Sequence, residues 1–340
     1  MAMAAPDTSC LVGPVAFKDL NWKEEGEMVI TPPDESADIV SSLPSNITGP
    51  NIQLRLYQGV WLLGTVVPGL ISLHRRFRSR PGDVLLASPA KSGTTWIKAL
   101  TFATMARSSY PPFADDHPLR RLNPHECVPY MEDLFVNGHE AKLEALPSPR
   151  LMQTHLHYSL LPRSLANCKT VFVCREPKDM IVSLWHYLHR AGVNFSFSEV
   201  FELTCDGKNP NGPFWDHVLG YWSASKVRPE GVLFLRYEKM LVDPVGTVRE
   251  LARFLGAPFS AAEETAELPM EIAKLCSIGS MRGLQGNKTG SIGQFKFAHQ
   301  SFFRKGVVGD WVNHMTPEMA RRMDAIVEGK LQGSGLTFTS

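Results

Sequence analysis

Short aliphatic and β-branched runs alternate along this chain with longer stretches whose apolar positions recur at helical spacing. “DVLLAS” (83–88) precedes “WIKALTFATMA” (96–106), “KTVFVCRE” (169–176) precedes “DMIVSLWHYLHRAG” (179–192), and “GVLFLRYEKM” (231–240) precedes “VGTVRELARFLGA” (245–257). Strand alternating with helix predicts an α/β fold with a parallel sheet. The unbroken apolar character of “TVFV” and “VLFL” predicts strands covered on both faces, hence one domain with a central parallel sheet flanked by helices. Ligands of such sheets gather beyond the carboxyl ends of the strands.

Three stretches depart from this rhythm. Residues 1–50, rich in Pro, Ser, Asp and Glu, show no sustained period and are expected to form an irregular N-terminal arm before a domain at 51–335. The most apolar run, “VWLLGTVVPGLISL” (60–73), is shorter than the roughly 20 residues of a membrane helix and contains Pro68; it reads either as core or as an apolar pocket wall. The glycine-rich “SIGSMRGLQGNKTGSIGQ” (277–294) reads as a long loop, either a lid or plain surface.

Composition narrows the partners. Lys plus Arg number 35 against 34 Asp plus Glu in 340 residues, so no overall field draws the chain to nucleic acid or an acidic membrane, and any anion site must be local. Six cysteines without C-x-x-C or metal-ligand spacing suit free thiols in a reducing compartment. The N-terminus lacks a charged region followed by an apolar core, so a cytoplasmic protein is expected.

Local anion chemistry appears at “SPAKSGTTWIKAL” (88–100), a strand, a loop of small and hydroxylated residues, and a helix start. It resembles a P-loop, except that Lys91 precedes Gly93 instead of following it. Helix N-terminal amides, the hydroxyls of Ser92, Thr94 and Thr95, and the Lys91 ammonium can all address one phosphate. A second element is “VFVCREPKDMIVSLWHY” (171–187), where Arg175 ends an apolar strand and Ser183 lies one or two turns into the next helix. A guanidinium fork with a hydroxyl suits a phosphate dianion. A third is “SFFRKGVVGDW” (301–311), with Arg304, Lys305 and Gly306 in one turn. Three such elements in a neutral chain imply a ligand with phosphates at more than one position. A P-loop kinase is the main alternative; the misplaced lysine and the lack of an evident second-strand aspartate for Mg²⁺ weigh against it.

Taken together, “KSGTTW”, “REPKDMIVSLWHY”, “FLRYEKM” and “RKGVVGDW” resemble the cytosolic sulfotransferases, most closely their plant members, from about residue 50 to about residue 332. The resemblance implies transfer of a sulfuryl group from 3′-phosphoadenosine 5′-phosphosulfate (PAPS) to a small hydroxylated acceptor such as a flavonoid, brassinosteroid or hydroxyjasmonate. It implies that Lys91, Ser92, Gly93, Thr94 and Thr95 hold the 5′-phosphosulfate. Trp96, Tyr237 and Ile278 would contact the adenine, and Arg175, Ser183, Arg304, Lys305 and Gly306 the 3′-phosphate. In “RLMQTHLHYSLLP” (150–162) His155 occupies the place of the family's general base, with a pKa expected near neutrality, and Lys91 would neutralise the leaving oxygen. His157 could line the acceptor pocket or lie on the surface, and His186 and His189 read as helix-surface or packing residues. No metal is expected.

The chain departs from the family at Ala90, where proline usually precedes the catalytic lysine, and at Gln153, where many members carry a second lysine. At Ile278 the family has an adenine-stacking phenylalanine. Val312, Thr316, Pro317 and Arg321 break the mammalian dimerisation motif, so a monomer is expected.

Overall fold

A computed structural model describes residues 13–21, 33–49, 52–293 and 296–338. Its centre is a four-stranded parallel sheet in the order β5-β4-β6-β7, formed by β4 (Val84–Ala87), β5 (Leu151–Thr154), β6 (Lys169–Cys174) and β7 (Val232–Arg236). The three strands expected from apolar runs are β4, β6 and β7. The fourth, β5, is four residues long and half polar, and its pairing with β4 (Val84 opposite Leu151, Ala87 opposite Thr154) makes it a strand.

Alternation along the strands divides the core between the two faces of the sheet. Val171 and Val173 of β6 join Val84 and Leu86 against helix α3 (Thr94–Ala106), whose Ile97, Leu100 and Phe102 are fully buried. Phe172 and Cys174 face the other way, where Phe172 stacks on Tyr221 at 4.2 Å between ring centres. The single α/β domain expected from the sequence is the one observed.

The N-terminal segment differs from the irregular arm expected for residues 1–50. It carries helix α1 (Pro33–Ser42) and strand β1 (Ser45–Thr48), and β1 pairs antiparallel with β2 (Ile52–Tyr57), which pairs with β3 (Val60–Leu63). “SNIT” is too short and polar to show a period, and only the β2 ladder gives it strand geometry. Residues 1–12 and 22–32 lie outside the described residues, and with them Cys10 and much of the expected arm. The other five cysteines are free thiols.

The apolar run at 60–73 supplies β3 and helix α2 (Val67–Arg76) and is largely core. Pro68 does not break it; it sits in the first turn of α2, where its missing N–H leaves nothing unpaired. The expected loop at 277–294 contains two short helices, Ile278–Gly283 and Gln285–Lys288. Ser277 caps the first by accepting from the Ser280 amide, and buried Asn287 pins the second through Asn123 and the Met281 carbonyl.

An ion pair locks the amino ends of β4 and β5. Asp83 and Arg150 are both fully buried, with Nη2 2.6 Å from the carboxylate; Arg150 also donates to Glu144 and to the Arg78 carbonyl. Removing one partner of such a pair strands a buried charge, so Arg150→Met should lower stability by about 3–5 kcal/mol, whereas Asp83→Leu with Arg150→Met should regain more than half of that. Urea midpoints at unchanged slope measure both; a double variant as weak as the single one would contradict the assignment.

Candidate active site

The parallel register of the sheet brings four chain segments to its carboxyl edge. Residues 88–93 follow β4, His155 directly follows β5, Arg175 directly follows β6, and Tyr237 directly follows β7. A cavity of about 290 Å³ opens there. Its walls include Lys91, Gly93, Thr94, Thr95, Trp96, His155, Arg175, Ser183, Tyr237, Ile278, Arg304 and Gly306. Twelve of the fourteen residues singled out in the sequence therefore meet around one cavity.

The remaining two lie outside its lining. Ser92 is fully buried, its hydroxyl without a partner among the described residues. Lys305 turns to Asp310, its Nζ 2.6 Å from Oδ1, while Arg304 binds the other carboxylate oxygen.

The loop after β4 is built for close approach. Lys91 holds φ at 66°, a left-handed conformation disfavoured by about 1–2 kcal/mol for a residue with a side chain. Gly93, at φ 110°, starts α3; a Cβ there would sit 2.9 Å from the Tyr237 ring. Thr94 is bonded to Ser88 at 2.7 Å, which ties the helix start back to the strand end. The Lys91 ammonium lies 3.9 Å from the ring centre of Tyr187. Burial above all, then Arg175, Arg190 and Arg304, lowers its pKa to about 7.

His155 is fixed in one tautomer. Its Nδ1 is 2.7 Å from the Ser88 carbonyl, which can only accept, so Nδ1 carries the hydrogen and Nε2 keeps a lone pair. Its backbone amide and the Thr154 hydroxyl both donate to Glu132 Oε1, at 2.8 and 2.7 Å. Burial lowers the ring's pKa to about 4, against the pull of the Ser88 bond. The near-neutral value expected from the sequence is thereby corrected, because the sequence carries no information on desolvation. The neutral ring persists through the physiological range.

Arg175 and Arg304 form the second cationic grouping. Arg175 lies over the Tyr237 ring at 4.7 Å, 3.5 Å from Asp179, and donates to the Val307 carbonyl at 2.7 Å. Asp179, in the first turn of the helix Pro177–Arg190, accepts from the amides of Gly309 and Trp311 at 2.7 and 3.0 Å and so anchors the segment bearing Arg304. Gly306, at φ 70°, lies so close to Ile278 that a Cβ would come within 2.5 Å of it. Between the cationic groupings Trp96 and Tyr237 meet edge to face at 5.6 Å. Arg175 Nε and Trp96 Nε1 are buried donors without a partner among the described residues, which suits a polyanionic ligand with a flat ring.

Sequence reasoning missed several wall residues. On the face of the Pro177–Arg190 helix that carries the expected Ser183, the missed residues His186, Tyr187 and Arg190 follow at i+3, i+4 and i+7, so His186 belongs to the cavity and not only to helix packing. His125 enters from the short helix Pro124–Cys127. Its “NPHE” signature marks a capped helix start, but nothing local ties it to a strand edge far away in sequence. His157 lies neither in the cavity wall nor on the surface: it is buried, stacks on His217 at 4.5 Å and bonds the Asn211 carbonyl. Phe214 lines a separate small cavity of about 30 Å³, and neither Trp61 nor Trp215 reaches the main one. Among the described residues no group of three or more His, Cys, Asp or Glu could hold a metal ion.

Comparison with known proteins matches residues 81–335 to the Sulfotransferase domain family. Cytosolic sulfotransferase 8 of Arabidopsis thaliana is 44% identical over 310 residues, covering 89% of this chain and 93% of the relative. Cytosolic sulfotransferase 5 of the same plant is 41% identical, covering 90% and 97%. Among solved structures, an Arabidopsis thaliana putative steroid sulphotransferase superposes with a TM-score of 0.72 at 34% identity, covering 89% of this chain and 94% of that one. A mouse sulfotransferase complexed with PAP gives 0.64 at 28% identity, covering 83% and 95%. Among the described residues no helix is long and apolar enough to cross a membrane.

The depressed Lys91 pKa has a stability consequence. Between the folded value of about 7 and the unfolded 10.5 the unfolded chain binds more protons, so stability rises with pH across that window. Lys91→Met, which keeps the stem over Tyr187, should be more stable than the wild type at pH 7, with the gap closing as pH approaches 10. Denaturant unfolding at several pH values tests this; a gap independent of pH would contradict it.

Proposed function

The chain belongs to the sulfotransferase family, and from that premise we propose that it transfers the sulfuryl group of PAPS to a hydroxyl of a small organic acceptor. The observation that carries this reading is the convergence of two cationic groupings, an aromatic pair and a neutral histidine on one cavity. PAPS, when bound, supplies an activated sulfuryl group whose leaving group is a phosphate. Lys91, the amides at the start of α3, and Thr94 and Thr95 would hold the 5′-phosphosulfate. Arg175, Ser183, Arg304 and Gly306 would hold the 3′-phosphate. Trp96, Tyr237 and Ile278 would enclose the adenine, with aliphatic contact replacing a stacked ring at Ile278. The mouse relative's bound PAP supports the donor assignment.

His155 Nε2 takes the acceptor's hydroxyl proton as that oxygen bonds to sulfur, and the Lys91 ammonium neutralises the charge left on the phosphate oxygen as the S–O bond breaks. An anionic donor nearby favours the protonated form of both side chains and offsets their desolvation. We take the acceptor to be an apolar ring compound with a free hydroxyl, a phenolic or a steroid, in keeping with the related putative steroid sulphotransferase. The protein acts as a cytosolic monomer in this reading, since Val312, Thr316, Pro317 and Arg321 do not reproduce the dimer motif.

Calorimetry should give tight binding of 3′,5′-bisphosphoadenosine, at least tenfold weaker binding of 5′-AMP, and negligible binding of ATP with Mg²⁺. A preference for ATP would restore the kinase alternative. His155→Ala should lower turnover of radiolabelled PAPS with a panel of phenols and sterols about 10²–10⁴-fold while leaving bisphosphate affinity within about threefold. An active His155→Ala would remove the base from that role.

A further inference from the structure

Thr95 lines the cavity, and a chain of hydrogen-bonded side chains reaches its hydroxyl. Thr95 Oγ1 is 3.0 Å from His125 Nε2, His125 Nδ1 is 3.1 Å from Lys98 Nζ, and Lys98 Nζ donates to the Val128 carbonyl at 3.0 Å. Lys98 lies one turn beyond Thr95 on α3 and is fully buried. The histidine is held in place from several sides. Asn123 and Glu126 form the capping box of its short helix, Asn123 bonds Asn287, and the imidazole lies 4.2 Å from the Phe302 ring centre.

Donor and acceptor rules give this chain a direction. An ammonium can only donate, so Nδ1 of His125 accepts from Lys98. A neutral imidazole has a single N–H, which then sits on Nε2 and donates to Thr95 Oγ1. With its oxygen already accepting, the Thr95 hydroxyl is free to donate its own hydrogen into the cavity. If Lys98 loses its proton the chain can run backwards, and Thr95 then spends its hydrogen on Nε2.

We infer that His125 and Lys98 are positioning residues that turn the Thr95 hydroxyl into a donor toward the phosphosulfate and bring a buried positive charge within two hydrogen bonds of that hydroxyl. The surroundings are compatible with the required protonation. Burial first, then Lys98, Lys91, His155 and His299, holds His125 well below its ordinary pKa, so the ring is neutral. Burial lowers Lys98 to about 7, while the nearby Glu132 and Cys127 favour its cation. An anion at Thr95 favours that cation further.

This inference rests on the proposed donor site, and its test separates the two. Nitrogen-15 spectra of the histidine-labelled full chain at pH 6, with His125 assigned from His125→Gln, should show His125 as the Nε2–H tautomer; an Nδ1–H ring would overturn the inference. That measurement needs no ligand. Calorimetry with 3′,5′-bisphosphoadenosine reads the rest. Lys98→Met and His125→Phe should each raise Kd about tenfold, and neither should add more than about twofold in a Thr95→Val background. His125→Gln, whose amide can replace the Nε2–H donor, should recover most of the loss, which a purely structural role would not predict. Additive losses, or equal losses in His125→Gln and His125→Phe, would refute the positioning role even if Lys98→Met fails to fold. A wild type that does not bind the bisphosphate would remove the donor site and leave the tautomer to be judged alone.

Discussion

The parallel register of four short strands is the constraint on which the site depends. Because β5, β4, β6 and β7 run the same way, the next residues of four distant segments fall along one edge, with β6 and β7 reaching two residues beyond β4 and β5. Lys91, His155, Arg175 and Tyr237 are brought together by backbone ladders, and Arg175 lies over the Tyr237 ring. An interaction at the far end supports this arrangement. The buried Asp83–Arg150 pair joins the starts of β4 and β5, so the same two strands that carry Lys91 and His155 are held at both ends.

A site assembled this way concentrates like charge. Lys91, Arg175, Arg190 and Arg304 face a common space, and Lys98 lies beneath it. The chain moderates this with anions set outside the cavity wall. Asp179 takes two backbone amides as well as lying near Arg175, and Asp310 gathers Arg304, Lys305 and Asn313. Glu132 collects the Thr154 hydroxyl and the His155 amide. Burial raises the Glu132 pKa to about 7 and lowers those of Lys91 and Lys98 to about the same value. Cations destabilised by burial are favourable partners for a polyanion, which makes binding energy specific for charge.

Much of this was legible in the order of residues. Continuous apolar runs flanked by helical periods disclosed β4, β6 and β7 because a strand buried on both faces leaves an unbroken hydrophobic signature. The reversed order of Lys91 and Gly93 separated the loop from a nucleotide P-loop, and four ordered motifs pointed to the sulfotransferases. Other features were not legible for identifiable reasons. β1 and β5 are short and polar, and they exist through their neighbours' hydrogen bonds. The 277–294 stretch has too many glycines to show a helical period, yet a serine cap and a buried asparagine order it.

The sequence by itself determined the α/β class, through local periodicity, and, through the resemblance of four ordered motifs, the family and twelve of the residues that line the cavity. Only the tertiary structure decided that Lys305 and Ser92 stand outside the cavity wall, that His157 is core, that His186 and His125 are in the wall, and that His155 is held neutral as a single tautomer. Those outcomes depend on burial and on partners contributed by segments distant in sequence. Desolvation and long-range hydrogen bonds belong to the packed chain and leave no pattern along it.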